Sequence, residues 1–273
     1  MTSVFDIYNY LDSVAPFSTQ EKWDNSGLVI GGNEAVTKAV LCLDAAKDVV
    51  RYAADIGAEL IISHHPIIFH GLKAVEPKSA VYECVKNGIA VISAHTCFDK
   101  AKNGINTNLC KRLGLADVKP VDGTFIVTAK LDAPMSADDF ARFVSDTLDV
   151  HGLRYTDSER LIKTVALGGG ACEEYLPQAM ECADCFVTGD MKYHDFLAAA
   201  EEKFCVISAG HFETESESFH MLLDELKNKF PDVEFVWAGS KILFWRCNYG
   251  AGRNFFTSPK KRGCRICSRR ANR

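Results

Sequence analysis

Six of the eight histidines, His64, His65, His70, His95, His194 and His211, stand at or shortly after segments that read as strand ends. One imidazole alone is more often a satisfied polar group than a ligand, but six gathered at one kind of position call for shared chemistry. His64 and His65 are adjacent, and inside a strand they would point to opposite faces. Pro66 stops the ladder directly after them, so at the strand end both reach one crevice from different directions. Such a pair suits two neighbouring metal ions, one imidazole to each. Asp99 follows the His95 strand, and Glu215 lies four residues past His211. On a helix that spacing sets two side chains on one face, about 6 Å apart. Three imidazoles and two carboxylates can hold two divalent cations with residual positive charge, which attracts hydroxide and anionic substrates. Two such ions would lower the pKa of a bridging water and stabilise the entering and leaving oxygens of a hydrolysis. Mixed nitrogen and oxygen donors fit zinc, iron, manganese or nickel.

The elements that have to position these side chains alternate between strand and helix, the pattern of parallel α/β architecture. After an N-terminal helix near 4–14, a unit runs strand 39–43, helix 46–56, strand 60–63, helix 78–86, strand 90–93. A second unit repeats the order: strand 164–167, helix 173–182, strand 185–188, helix 196–203, strand 205–208. The third strands match in letters, Val91-Ile92-Ser93-Ala94 against Val206-Ile207-Ser208-Ala209, with His95 and His211 just after them. Five elements in one order point to an internal duplication. Between the units lie a strand over 124–131 and a helix opened by Ser136, with Asp139 as a partial cap. The expected fold class is α/β: two interlinked, similar domains with mostly parallel sheets. The expected boundaries are a first domain over 1–120, a second over 121–249 and a basic tail over 250–273. In open parallel sheets ligands bind beyond the carboxyl ends of the strands, where nearly all the polar clusters fall.

Composition narrows the function classes. The chain has 273 residues, 31 basic and 36 acidic, for a net charge of -5. The tail from Gly250 carries eight of the basic residues and no acidic one, so the body is strongly acidic and does not present a phosphate-backbone footprint. Nucleic acid is not expected as a partner of the body, and the tail reads as a solvated or disordered extension. The longest apolar runs, near Leu60–Ile62 and Ile89–Ile92, are far shorter than the roughly 20 residues of a membrane span. The first residues lack the basic and apolar regions of a secretory signal, so a cytoplasmic protein is expected. Cys42, Cys84, Cys110 and Cys205 sit in apolar runs and read as reduced core thiols.

The segments Trp23-Asp24-Asn25-Ser26-Gly27-Leu28, Ile62-Ser63-His64-His65-Pro66, Ala94-His95-Thr96-Cys97-Phe98-Asp99, Gly189-Asp190 with His194, and Gly210-His211-Phe212-Glu213-Thr214-Glu215 together resemble the NIF-three-like dinuclear metal-centre family. Its members are often labelled GTP cyclohydrolase 1 type 2 homologues. The match spans roughly residues 1–240. The resemblance implies a ring-like homohexamer and a dinuclear site of His64, His65, Asp99, His211 and Glu215, with Glu215 shared by both ions. His95 and His194 would line the inner wall as proton carriers or partners of the ligands. It implies a metal-dependent hydrolase acting on a nucleotide or phosphoester. The alternative is a metal-binding regulator or interaction scaffold without turnover.

Three other features carry blander readings. Cys182-x-x-Cys185 and Cys264-x-x-Cys267 have zinc-ribbon spacing but read as core thiols and tail. Gly168-Gly169-Gly170 reads as a tight turn rather than a phosphate cradle. Trp23 and Phe69 read as core residues rather than a stacking wall. No Gly-x-Ser-x-Gly elbow or P-loop occurs, which disfavours a serine hydrolase or kinase.

Overall fold

Ser3 opens the first helix, α1 (Val4–Val14). Its hydroxyl accepts from the Asp6 N–H while the Asp6 carboxylate accepts from the Ser3 N–H, satisfying two donors that a helix start leaves free. The computed structural model describes residues 1–239 of the chain. The first half continues with β1 (Gly27–Ile30), β2 (Lys38–Asp44), α2 (Lys47–Asp55), β3 (Leu60–His65), α3 (Ala80–Asn87) and β4 (Ala90–Ser93). Two short helices follow, α4 (Thr96–Lys100) and α5 (Ile105–Arg112). The second half contains β5 (Ala116–Pro120), β6 (Val127–Met135), α6 (Ala137–Leu148), β7 (Arg154–Tyr155), β8 (Ile162–Ala171), α7 (Leu176–Cys182), β9 (Cys185–Asp190), α8 (Tyr193–Glu201) and β10 (Cys205–Ser208). The described chain ends with α9 (His211–His220), α10 (Leu222–Lys229) and β11 (Glu234–Trp237).

These strands form two sheets, ordered β1-β4-β3-β2-β11 and β5-β6-β8-β9-β10-β7. The expected repeat is present in space as well as in order. β2, β3 and β4 pair in parallel, and so do β8, β9 and β10. Each triplet also carries a short antiparallel strand outside its third member, β1 beside β4 and β7 beside β10. The core positions of both triplets are buried on alternate residues alike, so these strands read as continuous apolar runs because helices cover both faces. The two halves differ on the opposite side: β6 is antiparallel to β8, whereas β11 is parallel to β2. The last described strand therefore returns to the first sheet and interlinks the halves. Ser136 caps α6 by accepting from the Asp139 N–H, as its spacing predicts.

One helix joins both sheets. α9 packs against β2 of the first and against β8 and β9 of the second. His211, Glu215 and Phe219 recur every four residues along one stripe of it. Phe219 is fully buried, with its ring 5.3 Å from the rings of both Phe98 and His64. The stripe is thus anchored by an apolar residue next to its polar ones. Cys42, Cys84, Cys110 and Cys205 are buried, as their apolar surroundings predict. No described helix is long and apolar enough to cross a membrane. The basic tail, including Cys264-x-x-Cys267, lies outside the described residues.

Candidate metal centre

Strand ends supply the site. His64 and His65 are the final residues of β3, and Asp44, the final residue of β2, is in register with His65. His95 lies between β4 and α4, Asp99 is on α4, and Asp190 ends β9. His211 opens α9 immediately past Gly210, whose φ of +84° turns the chain from β10 into the helix in a conformation that favours glycine.

Three groups of donors form: His64 with His65 and His95, and two more that meet at Glu215. Around the first of these two, His64 Nε2 is 3.6 Å from Asp99 Oδ1 and 3.7 Å from Glu215 Oε1. Around the second, His65 Nε2 and His211 Nε2 lie 3.1 and 3.2 Å from Glu215 Oε2, and 3.4 Å from each other. Each of these two trios can hold a metal ion, and Glu215 belongs to both, one carboxylate oxygen facing each. Ligands about 2.1 Å from a tetrahedral ion are separated by about 3.4 Å, so these spacings are those of donors around a cation. His64 Nε2, Asp99 Oδ1 and Glu215 Oε2 are buried and make no hydrogen bond of acceptable geometry. Although His65 and His211 approach Glu215 Oε2 closely, their nitrogens do not aim at it. Buried polar atoms without partners cost roughly 1–3 kcal/mol each, and a shared cation removes that cost.

The other ring nitrogens fix the tautomers. His65 Nδ1 donates to Asp44 at 2.8 Å, His211 Nδ1 to Asp190 at 2.7 Å, and His64 Nδ1 to the Ala94 carbonyl at 2.8 Å. Every Nε2 faces the centre, where a cation that displaces its proton would meet its lone pair, the arrangement in which an outer acceptor orients a metal-ligating imidazole. Asp44 and Asp190 were not singled out as acceptors from the sequence. A terminal strand aspartate looks like any polar stop, and only its register beside a histidine gives it a role.

Electrostatics point the same way. Burial lowers the His64 pKa to about 4, so this ring is neutral and ready to ligate. Burial also opposes charge on His65 and His211, but Asp44 and Glu215 override it and raise His65 to about 10, while Asp190 and Glu215 raise His211 to about 11. Burial and the neighbouring Glu215 push Asp99 well above the ordinary carboxylate range. Burial works against the Glu215 charge as well, yet His211, His64 and His65 hold it well below that range. The cluster demands positive charge, supplied here by protons that a divalent cation would displace.

Above the donors opens a cavity of about 410 Å³, lined in part by His65, Asp99, His211 and Glu215 and by His95. His95 Nδ1 donates to Asp24 at 2.9 Å. The Asp24 carboxylate also accepts from Asn25 N, Ser26 Oγ, Thr96 N and Thr96 Oγ1, and so pins the 23–26 loop to the start of α4. His194 is on the first turn of α8, exposed, and is not among the residues lining the cavity. His70 is exposed in the loop after β3.

Two blander readings change. Gly168-Gly169-Gly170 is neither a turn nor a phosphate cradle. It lies within β8, where the Gly169 N–H donates to Asn106 Oδ1 and the Gly170 N–H to Thr214 Oγ1. At Gly170, φ is +66° and a Cβ would stand 2.1 Å from Glu215 Oε1, so the glycine is what lets β8 run against the carboxylate. Trp23 and Phe69 are not core residues: they are 50% and 40% exposed and line the cavity. Polar neighbours decide this, because Asp24 and Asn25 are tied to α4 and to Ile68, which holds both aromatic loops at the rim. Cys185 is a core thiol beside Cys205, as read, whereas Cys182 is exposed at the end of α7.

The family model for Duf34/NIF3 (NGG1p interacting factor 3) matches residues 2–241. A Clostridium perfringens protein named GTP cyclohydrolase 1 type 2 homolog is 31% identical over 246 residues, covering 85% of this chain and 94% of that protein. A Helicobacter pylori protein named GTP cyclohydrolase 1 type 2 is 31% identical, covering 84% and 93%. Among solved structures, a hypothetical protein of Staphylococcus aureus superposes with a TM-score of 0.81 at 27% identity, covering 91% of this chain and 99% of that one. With a match that runs through every segment of the site described above, the chain belongs to the Duf34/NIF3 family.

Proposed function

We propose that the protein binds two divalent metal ions and is a metal-dependent hydrolase acting on a nucleotide or phosphoester. One ion would be held by His64, Asp99 and Glu215, the other by His65, His211 and Glu215. The observation that carries this reading is the sharing of one buried carboxylate by two three-donor groups, with His64 Nε2, Asp99 Oδ1 and Glu215 Oε2 all buried without a hydrogen-bond partner. When bound, such ions supply Lewis acidity and a nucleophile at neutral pH; zinc, iron, manganese and nickel all suit these donors. The protein's own residues orient and move protons. Asp44 and Asp190 hold two imidazoles in register. His95, with Nδ1 committed to Asp24, keeps Nε2 as the lone-pair nitrogen on the cavity wall, placed to take a proton from the attacking water and return it to the leaving group. His194 has no part in this arrangement. The family resemblance supports a homohexamer, which light scattering would read directly.

The test is turnover of a nucleotide and phosphodiester panel by metal-reconstituted protein. Wild type should turn over at least one member, Glu215→Ala should lose activity with its metal, and His95→Gln should lose about 100-fold with metal retained. Equal activity in all three would mark a contaminant, and no turnover by fully loaded wild type would leave a metal-binding scaffold instead.

A further inference from the structure

We propose that the cavity selects a substrate bearing a flat heteroaromatic ring, and that Trp23 and Phe69 are the residues that hold it by stacking. This rests on reading the cavity as a metal-centred substrate site. The two rings are 5.7 Å apart, tilted by 38°, and each stands 5.9 Å from the His95 ring at 70°. Together they make a three-ring wall opening onto the donors of the second metal group. Large apolar side chains are exposed singly on most surfaces, but here two meet at the mouth of one polar cavity, and both are fixed in place. Asn25 Nδ2 donates to the Ile68 carbonyl at 2.6 Å, joining the loop of Trp23 to the loop of Phe69 across 43 positions. Asp24 joins the same loop to His95 and Thr96. A wall built this way loses little freedom when a ring settles on it, and stacking on an aromatic face needs no particular hydrogen-bond pattern from the ligand.

The charges around the cavity favour a ring over a phosphate chain as the recognised part. Among the described residues that line it, none is Lys or Arg, and the one charged lining residue outside the donor groups is acidic, Glu174. Phosphate would have to be held by the metal ions alone. The ring is held by the aromatic wall, so recognition of a nucleotide should survive removal of its phosphates to leave the nucleoside.

The experiment measures calorimetric binding of guanosine, adenosine and inorganic phosphate to the zinc-loaded full chain. The variants are Trp23→Leu, Phe69→Leu, Trp23→Phe and Glu215→Ala, with metal content checked in each. Nucleoside affinity should fall about tenfold in each Leu variant and recover in Trp23→Phe, while phosphate affinity and metal content stay at wild-type values. Glu215→Ala should lose phosphate binding. Unchanged nucleoside affinity in both Leu variants, or no nucleoside binding to metal-loaded wild type, would overturn the stacking role. Failure of wild type to bind metal or phosphate would instead strike the metal reading, and nucleoside binding still decides the role of the two rings.

Discussion

At the residue scale, the centre works through pairs in which an outer acceptor sets the tautomer of an inner imidazole. Asp44 and Asp190 each accept from one donor imidazole, His65 and His211, and so act on metal by orienting these rings. Asp44→Asn and Asp190→Asn should each weaken metal binding by about 10 to 100-fold, read by competition with a chromogenic chelator, with the fold intact by circular dichroism. Unaltered affinity in both would remove the orienting role. Asp24 makes a prediction about pH. Burial pushes its carboxyl up, but the hydrogen bonds from His95 and Thr96 override this and hold the pKa well below the ordinary range. A carboxyl depressed in the folded state contributes its full stability above its unfolded pKa of about 3.9, and loses it as pH falls through the folded value. Asp24→Asn should therefore lower stability by about 2 kcal/mol at pH 7, with the gap from wild type closing below about pH 4. Urea midpoints at pH 7 and pH 3.5 would show it, and a gap that widened in acid would contradict the assignment.

At the level of elements, α9 and β8 have to meet without a side chain between them. Gly170→Ala would place a methyl on Glu215 Oε1 and force a non-glycine residue to φ +66°. The left-handed conformation alone costs roughly 1–2 kcal/mol. The variant should lose at least that much stability together with most of its metal, whereas Gly31→Ala, with open space around its Cβ, should lose no metal. Phe219→Ala, removing the buried ring under His64, should cost about 3–5 kcal/mol in thermal or urea unfolding. Much of this scaffold was legible in the sequence. The five-element repeat showed because both triplets are apolar runs separated by amphipathic helices, and the four-residue spacing of His211 and Glu215 became one helix face. The missing parts were those whose signal is not local. β5 and the two-residue β7 are exposed at every position, so no buried face marks them. The return of β11 to the first sheet is a matter of topology. Asp44 reveals itself only through register, and Trp23 and Phe69 look like core residues until the hydrogen bonds of Asp24 and Asn25 are seen to hold their loops outward.

On the scale of the whole molecule, a single helix packed on both sheets carries two of the donors, while β3 and α4 carry the rest. Metal should therefore stabilise the described body as one unit. Ligand present at 100 times its dissociation constant adds about 2.7 kcal/mol, so chelation should lower the melting temperature of wild type and leave that of Glu215→Ala where it was. The shared carboxylate also makes a sharper demand, because the two ions should not be lost alike in every variant. The most direct test is elemental analysis of metal-reconstituted wild type, His65→Ala and Glu215→Ala at equal protein concentration. Two ions per chain in wild type, a marked loss in His65→Ala and near-complete loss in Glu215→Ala, all with native circular dichroism, is the expected result. Full occupancy in folded Glu215→Ala would contradict the claim that this one side chain joins both groups.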